Sequence, residues 1–313
     1  MNLFRKHPPS PAYTPIVSSA QPVAVARTSL DVARDYLSLG KLKIVVLLVG
    51  TAFLPMIAAA RGLPGVDQLV AVLVGGTLSS AGANAINCWF DRDIDQLMER
   101  TRNRPIPAGR IPAWHALALG ILANAVAFGI LATLANLLAA TLALAGAAIY
   151  VLVYTMWLKR STSQNIVIGG AAGAMPPLVG WAAVTGHLDL TAFSLFLVIF
   201  FWTPPHFWAL AQLVSRDYQR AHVPMMPAVQ GRRRTQWQSL GYAILTLAAS
   251  LVPFFTGAAG WVYLAGASVL GVGLCALTVL DLGGRGWTRR LFGYSSLYLA
   301  VLFIALAVGA VVA

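Results

Sequence analysis

The sequence predicts an all-α, polytopic membrane protein: nine transmembrane helices around a central cavity, capped by loops on the cytoplasmic side. Three observations predict it. Of 313 residues, 58% are hydrophobic and only 10% charged, a balance foreign to soluble domains of this size. Nine apolar runs are each long enough to cross a bilayer. The basic residues, finally, gather on alternate connections between those runs.

In chain order, residues 1–35 read as a flexible tail, with a short interfacial helix over Thr28–Gly40, and residues 36–313 as one transmembrane domain. The tail has no continuous apolar core, so no secretory signal peptide is expected. The apolar runs fall at 42–60, 69–90, 113–133, 136–157, 165–185, 190–212, 238–257, 260–280 and 291–312. On the tail side, the connections hold 21 of the 22 Lys and Arg; only Arg61 lies on the other. The positive-inside rule then places the N-terminus in the cytoplasm and the C-terminus in the periplasm of a bacterial inner membrane. A mitochondrial inner membrane ranks behind, because Asp31 and Asp35 do not suit a transit peptide. Topology accounts for the net charge of +12 without nucleic acid as a partner. Membrane lipid is the expected surrounding. Cys88 and Cys275 are too few for a disulfide framework or a thiolate zinc site.

The fifth run contains Gly169, Gly170, Gly173, Pro176, Pro177 and Gly180, and the sixth carries Pro204-Pro205. Both are expected as broken helices lining the chamber, since freed backbone must face protein or a cavity rather than lipid. Kinking for packing alone is the competing reading.

The densest chemistry lies at Ala83–Arg110, where the second run gives way to an arginine-rich loop. On a continuous helix at ~100° per residue, Asn84, Asn87, Asp91 and Asp95 share an arc of ~80°, with Asp93 opposite. Two carboxylates and two carboxamides on one stripe are hard oxygen ligands suited to Mg²⁺, which is held by few carboxylates together with substrate phosphates. Arg100, Arg102 and Arg104 follow, and arginine grips phosphate bidentately. The alternative is a helix end dressed with solvated charge. Asp217, in the long 213–237 connection, would complete a two-metal clamp. That loop repeats the order Asp, Arg, Pro, Gly-Arg (Asp217, Arg220, Pro227, Gly231-Arg232), as if two half-sites faced each other. Lys159 and Arg160 either bind departing phosphate or merely obey the charge rule. The Arg232–Arg234 run reads as a lipid-headgroup contact. His206 sits among Phe201, Trp202, Phe207 and Trp208; it is either a hydrogen-bonded core residue or a base or iron ligand facing a substrate.

A magnesium diphosphate held over an apolar chamber suits a prenyl diphosphate. The metal and arginines would neutralise the leaving group, while the dry chamber and aromatic faces would shelter an allylic cation.

These residues resemble a known family. Asn87-x3-Asp91-x3-Asp95, continuing through Arg100-Thr101-x2-Arg104, is similar to the signature of the UbiA-type intramembrane prenyltransferases. The segments TPPHFWALA and DY-x2-A-x2-PM-x-P resemble the branch that farnesylates protohaem. The likeness implies that Asn87, Asp91 and Asp95 bind Mg²⁺-diphosphate, with Asp217 as a further metal ligand. It also implies that Arg100, Arg104, Lys159 and Arg160 hold the phosphates, with Lys43 carried over from a basic motif before the first run. In the wider family a second acidic motif has three members; Asp217 matches the last, whereas Leu213 and His206 occupy the other places. That departure suits His206 at the acceptor. The implied reaction moves a farnesyl group from farnesyl diphosphate to a vinyl group of haem b (a substrate, not a prosthetic group), with water, to give haem O. A haem A synthase or oxidase-assembly partner follows from the same likeness. The rival readings are a quinone-precursor prenyltransferase, a cation transporter with acids along its path, and a CDP-alcohol phosphotransferase.

Overall fold

A computed structural model describes residues 27–312. Among them, nine helices are long and apolar enough to cross a membrane, and no strand is present. A short helix α1 (Ser29–Leu39) precedes the spans α2 (Leu42–Ala60) and α3 (Val66–Phe90). The short α4 (Arg92–Leu97) follows, then spans α5 (Ala113–Leu134), α6 (Leu137–Ser161), α7 (Asn165–Thr185) and α8 (Leu190–Leu213). Two short helices, α9 (Ser215–Arg220) and α10 (Met226–Val229), lead to the spans α11 (Arg232–Phe255), α12 (Trp261–Gly283) and α13 (Thr288–Val312).

Local sequence sets the ends. A reciprocal capping box starts α1: Thr28 Oγ1 accepts from the Asp31 amide and the Asp31 carboxylate accepts from the Thr28 amide. Asp189 caps α8 and Asn136 caps α6, each accepting from the amide three residues on. The helix expected over Thr28–Gly40 is thus α1, which begins inside the segment assigned to the tail; the tail from 1 to 26 lies outside the described residues. The seventh span begins at Arg232, six residues before the apolar run, because the helical hydrogen-bond ladder continues past the membrane edge into the charged loop.

Each span packs on its neighbour in sequence, and α13 closes back on α2. Inside this ring α7 also packs on α2, and α8 on α13. Small residues permit the tightest approaches. A Cβ on Gly180 would lie 1.9 Å from the Ala52 carbonyl oxygen, and Gly82 and Gly120 bring α3 and α5 into mutual backbone contact. The glycines and prolines of the fifth and sixth runs do not break their helices, contrary to the expectation. Both α7 and α8 run unbroken through Pro176-Pro177 and Pro204-Pro205. Pro177, Pro204 and Pro205 are buried, so the carbonyls they deprive of a partner face protein rather than lipid.

On the charged face, the loop after α3 and the loop after α8 form one cap. Ile94 and Met98 join Tyr218, Val223 and Met225 in a shared apolar cluster. Asp35 of α1 binds Arg27 and Arg110, whose Nε lies 3.0 Å from it, pinning α1 to the first loop.

Candidate active site

The helical stripe expected from Asn84 to Asp95 survives, though not as one helix. Backbone turns at Asp91 (φ −81°, ψ 6°), which ends α3 and starts α4. The ladder bridges the break: the Asp91 amide donates to the Asn87 carbonyl at 2.9 Å, and the Asp95 amide to the Asp91 carbonyl at 2.8 Å. Asn87, Asp91 and Asp95 therefore stay in register and buried. Asp93 points outward with its side chain 60% exposed, where Arg160 grips it through both terminal nitrogens at 2.6 and 2.7 Å. That guanidinium holds the Asp93 carboxyl down at about 2.

Cations converge on the buried stripe from three elements. Lys159 of α6 binds the Asp91 carboxylate, which is 1% exposed. Arg160 stands 3.6 Å from the other Asp91 oxygen. Arg104 donates to Asp95 at 2.7 Å. Lys41, between α1 and α2, donates to the Asn87 side-chain carbonyl at 2.6 Å. Burial pushes the Lys41 ammonium below its ordinary pKa.

Lys41, rather than Lys43, reaches the stripe. Lys43 is exposed and makes no side-chain bond among the described residues. Lys41 takes a left-handed conformation (φ 52°) that opens α2.

The wall opposite Asn87 depends on an unusual winding. Residues Ile149–Leu158 of α6 form a π-helix. In an α-helix Tyr150 and Lys159 would point ~180° apart. With bonds five residues apart and about 4.4 residues per turn, they come within about 20°. Tyr150 accordingly donates to the Asn84 side-chain oxygen Oδ1 at 3.3 Å. Thr155 accepts from Asn87 Nδ2 at 3.0 Å, and Lys159 reaches Asp91. Tyr154 stacks on Tyr150 with ring centres 5.8 Å apart.

The two loops meet above this stripe. Arg100 lies over the Tyr218 ring at 5.3 Å and donates to its hydroxyl at 3.2 Å; Arg220 pairs with Glu99 at 3.5 Å. Tyr218 is next to Asp217, so the second loop does approach the first. Asp217 itself is half-buried, with no side-chain hydrogen bond or ion pair among the described residues. Nor do any three His, Cys, Asp or Glu side chains among those residues gather closely enough to hold one ion. The structure thus joins Asn87, Asp91 and Asp95 to Arg104, Lys159 and Arg160, and leaves Asp217 outside that cluster.

His206 belongs to another group. Its ring is stacked between Trp202 and Phe292, at 4.2 and 4.8 Å, and Nδ1 is 2.8 Å from Ser295 Oγ on α13.

The donor set fits Mg²⁺ on one observation above others. Asp91 Oδ1 is buried and takes no hydrogen bond, its nearest cation being Arg160 at an ion-pair distance of 3.6 Å, so its lone pairs stay open to a metal. The Asp91 and Asp95 carboxylates supply hard oxygens among fixed positive charges, which suits a metal-bound diphosphate.

Residues 47–292 match the model of the UbiA prenyltransferase family. The chain is 53% identical to a protoheme IX farnesyltransferase of Symbiobacterium thermophilum over 280 residues, covering 88% of this chain and 94% of that protein. It is 49% identical to one of Gloeobacter violaceus, covering 88% and 92%. A Roseiflexus relative of the same name is 49% identical over 95% of this chain, which spans 58% of that longer protein. Among solved structures, a UbiA homolog from Archaeoglobus fulgidus bound to DMAPP and Mg²⁺ superposes with a TM-score of 0.62 at 16% identity, covering 87% of this chain and 98% of that one. A digeranylgeranylglyceryl phosphate synthase gives 0.74 at 15%, covering 90% and 99%. Nine apolar spans, the aspartate stripe with its cations, and these likenesses converge: the chain is an integral membrane prenyltransferase and belongs to the UbiA prenyltransferase family.

Proposed function

We propose that this prenyltransferase moves a farnesyl group from farnesyl diphosphate to a vinyl carbon of haem b, giving haem O. The single observation that carries the site is the cation-ringed stripe with an Asp91 oxygen at its centre that takes no hydrogen bond. Asn87, Asp91 and Asp95 would hold Mg²⁺, and Asp217 would reach it from the facing loop. Bound there, the ion would supply positive charge against the departing diphosphate.

The protein's own groups do the rest. Lys159, Arg160, Arg104 and Arg100 bind the phosphate oxygens, and Lys41 joins them in place of Lys43. They stabilise the charge that develops as the C–O bond breaks and the diphosphate leaves with the electron pair. Tyr150 and Tyr154 present ring faces to the allylic carbons, where a developing cation is stabilised. The vinyl π-electrons of haem b close the new C–C bond. Water captures the resulting cation and releases a proton, so the iron changes no oxidation state. His206, with its aromatic sandwich, faces the acceptor.

The same proposal places the charged face in the cytoplasm of a bacterial inner membrane, following the distribution of Lys and Arg. It also gives the product to a haem A synthase or an oxidase-assembly partner. The test is mass spectrometry of haems from cells with and without the protein. Asp91→Ala and Asp95→Ala should insert normally and make no haem O in membranes supplied with Mg²⁺. Full activity in either variant refutes the metal assignment.

A further inference from the structure

Toward the charged face from His206 and Ser295, the end of α8 and the short helices α9 and α10 line a cavity of about 410 Å³, closed by Arg232 of α11 and Thr288 of α13. Leu213 and Thr288 line it, one heptad along each helix from His206 and Ser295. At 1.5 Å per residue the cavity opens about 10 Å from the histidine ring. That offset is comparable to the reach from the centre of a porphyrin to the ends of its propionates.

Arg232 is the cavity's one charged lining residue. Its Nη2 donates to Asp281 Oδ1 at 3.2 Å and to Thr288 Oγ1 at 3.3 Å. Asp281 is 1% exposed and is also held by Thr288 at 2.6 Å and by Gln236 at 2.9 Å. The network therefore fixes the guanidinium through one nitrogen. Nε and Nη1 have no acceptor among the described residues; since both two-pronged edges of a guanidinium include Nη2, they offer an anion single N–H donors rather than a fork. Ser215 and Gln219 add neutral donors to the lining. Tyr218 lines the cavity and also receives Arg100, so this cavity and the diphosphate site share a wall.

We propose that this cavity seats the carboxylates of the acceptor, with the propionates of haem b on Arg232. The assignment rests on haem b being the acceptor. Vinyls and propionates occupy opposite edges of the porphyrin, so anchoring the carboxylates here turns the vinyl edge away from Arg232. Arg232 is then a determinant of acceptor specificity and orientation, rather than the lipid-headgroup contact that its position in an arginine run suggests.

The test compares haem b with its dimethyl ester, which lacks both charges, using purified full-length protein in nanodiscs with farnesyl diphosphate and Mg²⁺. The wild type should show a KM for the ester at least about tenfold above that for haem b. Arg232→Gln should raise the KM for haem b to near the ester's value and leave the KM for farnesyl diphosphate unmoved. Because Arg232 also balances the buried Asp281, Gln219→Glu serves as a second variant. It puts a carboxylate into the cavity with the Asp281 network intact, and should raise the KM for haem b alone. Equal use of ester and acid by the wild type, or an equal rise for both in Gln219→Glu, overturns the proposal. So does an Arg232-dependent gain on moving from neutral to anionic lipid without ester discrimination, which would assign the anion to a headgroup phosphate. If the wild type farnesylates neither acceptor, the acceptor assignment itself fails and this proposal falls with it.

Discussion

Replacing Lys159 by methionine separates what the Lys159–Asp91 pair does for folding from what it does for turnover. Lys159 is 13% exposed at its side chain and Asp91 1%. Removing one partner of a buried pair costs about 3–5 kcal/mol. Asp91 would keep its bond from Asn87 at 2.7 Å and Arg160 at 3.6 Å, so the lower figure applies, about 3 kcal/mol or several degrees in Tm. Turnover should fall on the order of 10²–10³-fold, the usual loss of one preorganised donor to a developing anion. Adding Asp91→Asn removes the uncompensated charge and should restore about 1–2 kcal/mol of stability, yet turnover should fall further because a metal ligand is gone. Thermal unfolding followed by tryptophan fluorescence reads the first quantity; diphosphate release with mass spectrometry of the haem product reads the second. If the double variant regains stability and turnover together, Lys159 acts only as a counterion, and its assignment to the leaving group is wrong.

Further outcomes follow from other contacts. Lys41→Met, losing the 2.6 Å bond to Asn87, should raise the KM for farnesyl diphosphate about tenfold; Lys43→Met should match the wild type in the same steady-state assay. Gly180→Ala drives a methyl into the Ala52 carbonyl at 1.9 Å and should destabilise by about 3 kcal/mol or more. Gly173→Ala, with nothing within 4 Å of the added carbon, should melt within a degree or two of the wild type. His206→Phe keeps the stack with Trp202 and Phe292 but loses Ser295; its KM should shift for the haem acceptor and not for the prenyl diphosphate, and the reverse pattern would move His206 to the donor site.

The nine spans were legible because hydropathy and charge placement are properties of single residues summed over a window. Asn87, Asp91 and Asp95 were legible because they follow helical spacing, and their register outlasted the break at Asp91. What escaped depends on backbone departures that spacing alone does not encode. The left-handed residue at Lys41 exchanges it for Lys43, and the π-winding brings Tyr150 and Thr155 to face Asn84 and Asn87. Unbroken α7 and α8 escaped as well, since a Pro-Pro pair in a sequence does not say whether the carbonyls it frees face lipid or protein. Arg232 was read as one of three equivalent arginines; only tertiary contact with Asp281 sets it apart.

The underwound half of α6 makes chain length there as consequential as side-chain identity. Excising a single residue between Tyr150 and Lys159 would let the segment relax to ordinary winding and turn the lysine by about 60° off the line to Asp91, while composition and membrane insertion stayed almost unchanged. Such a one-codon deletion should silence the protein as fully as loss of an aspartate, whereas the same excision near the far end of α5 should be far milder. Scanning single-residue deletions along both spans would expose that asymmetry directly.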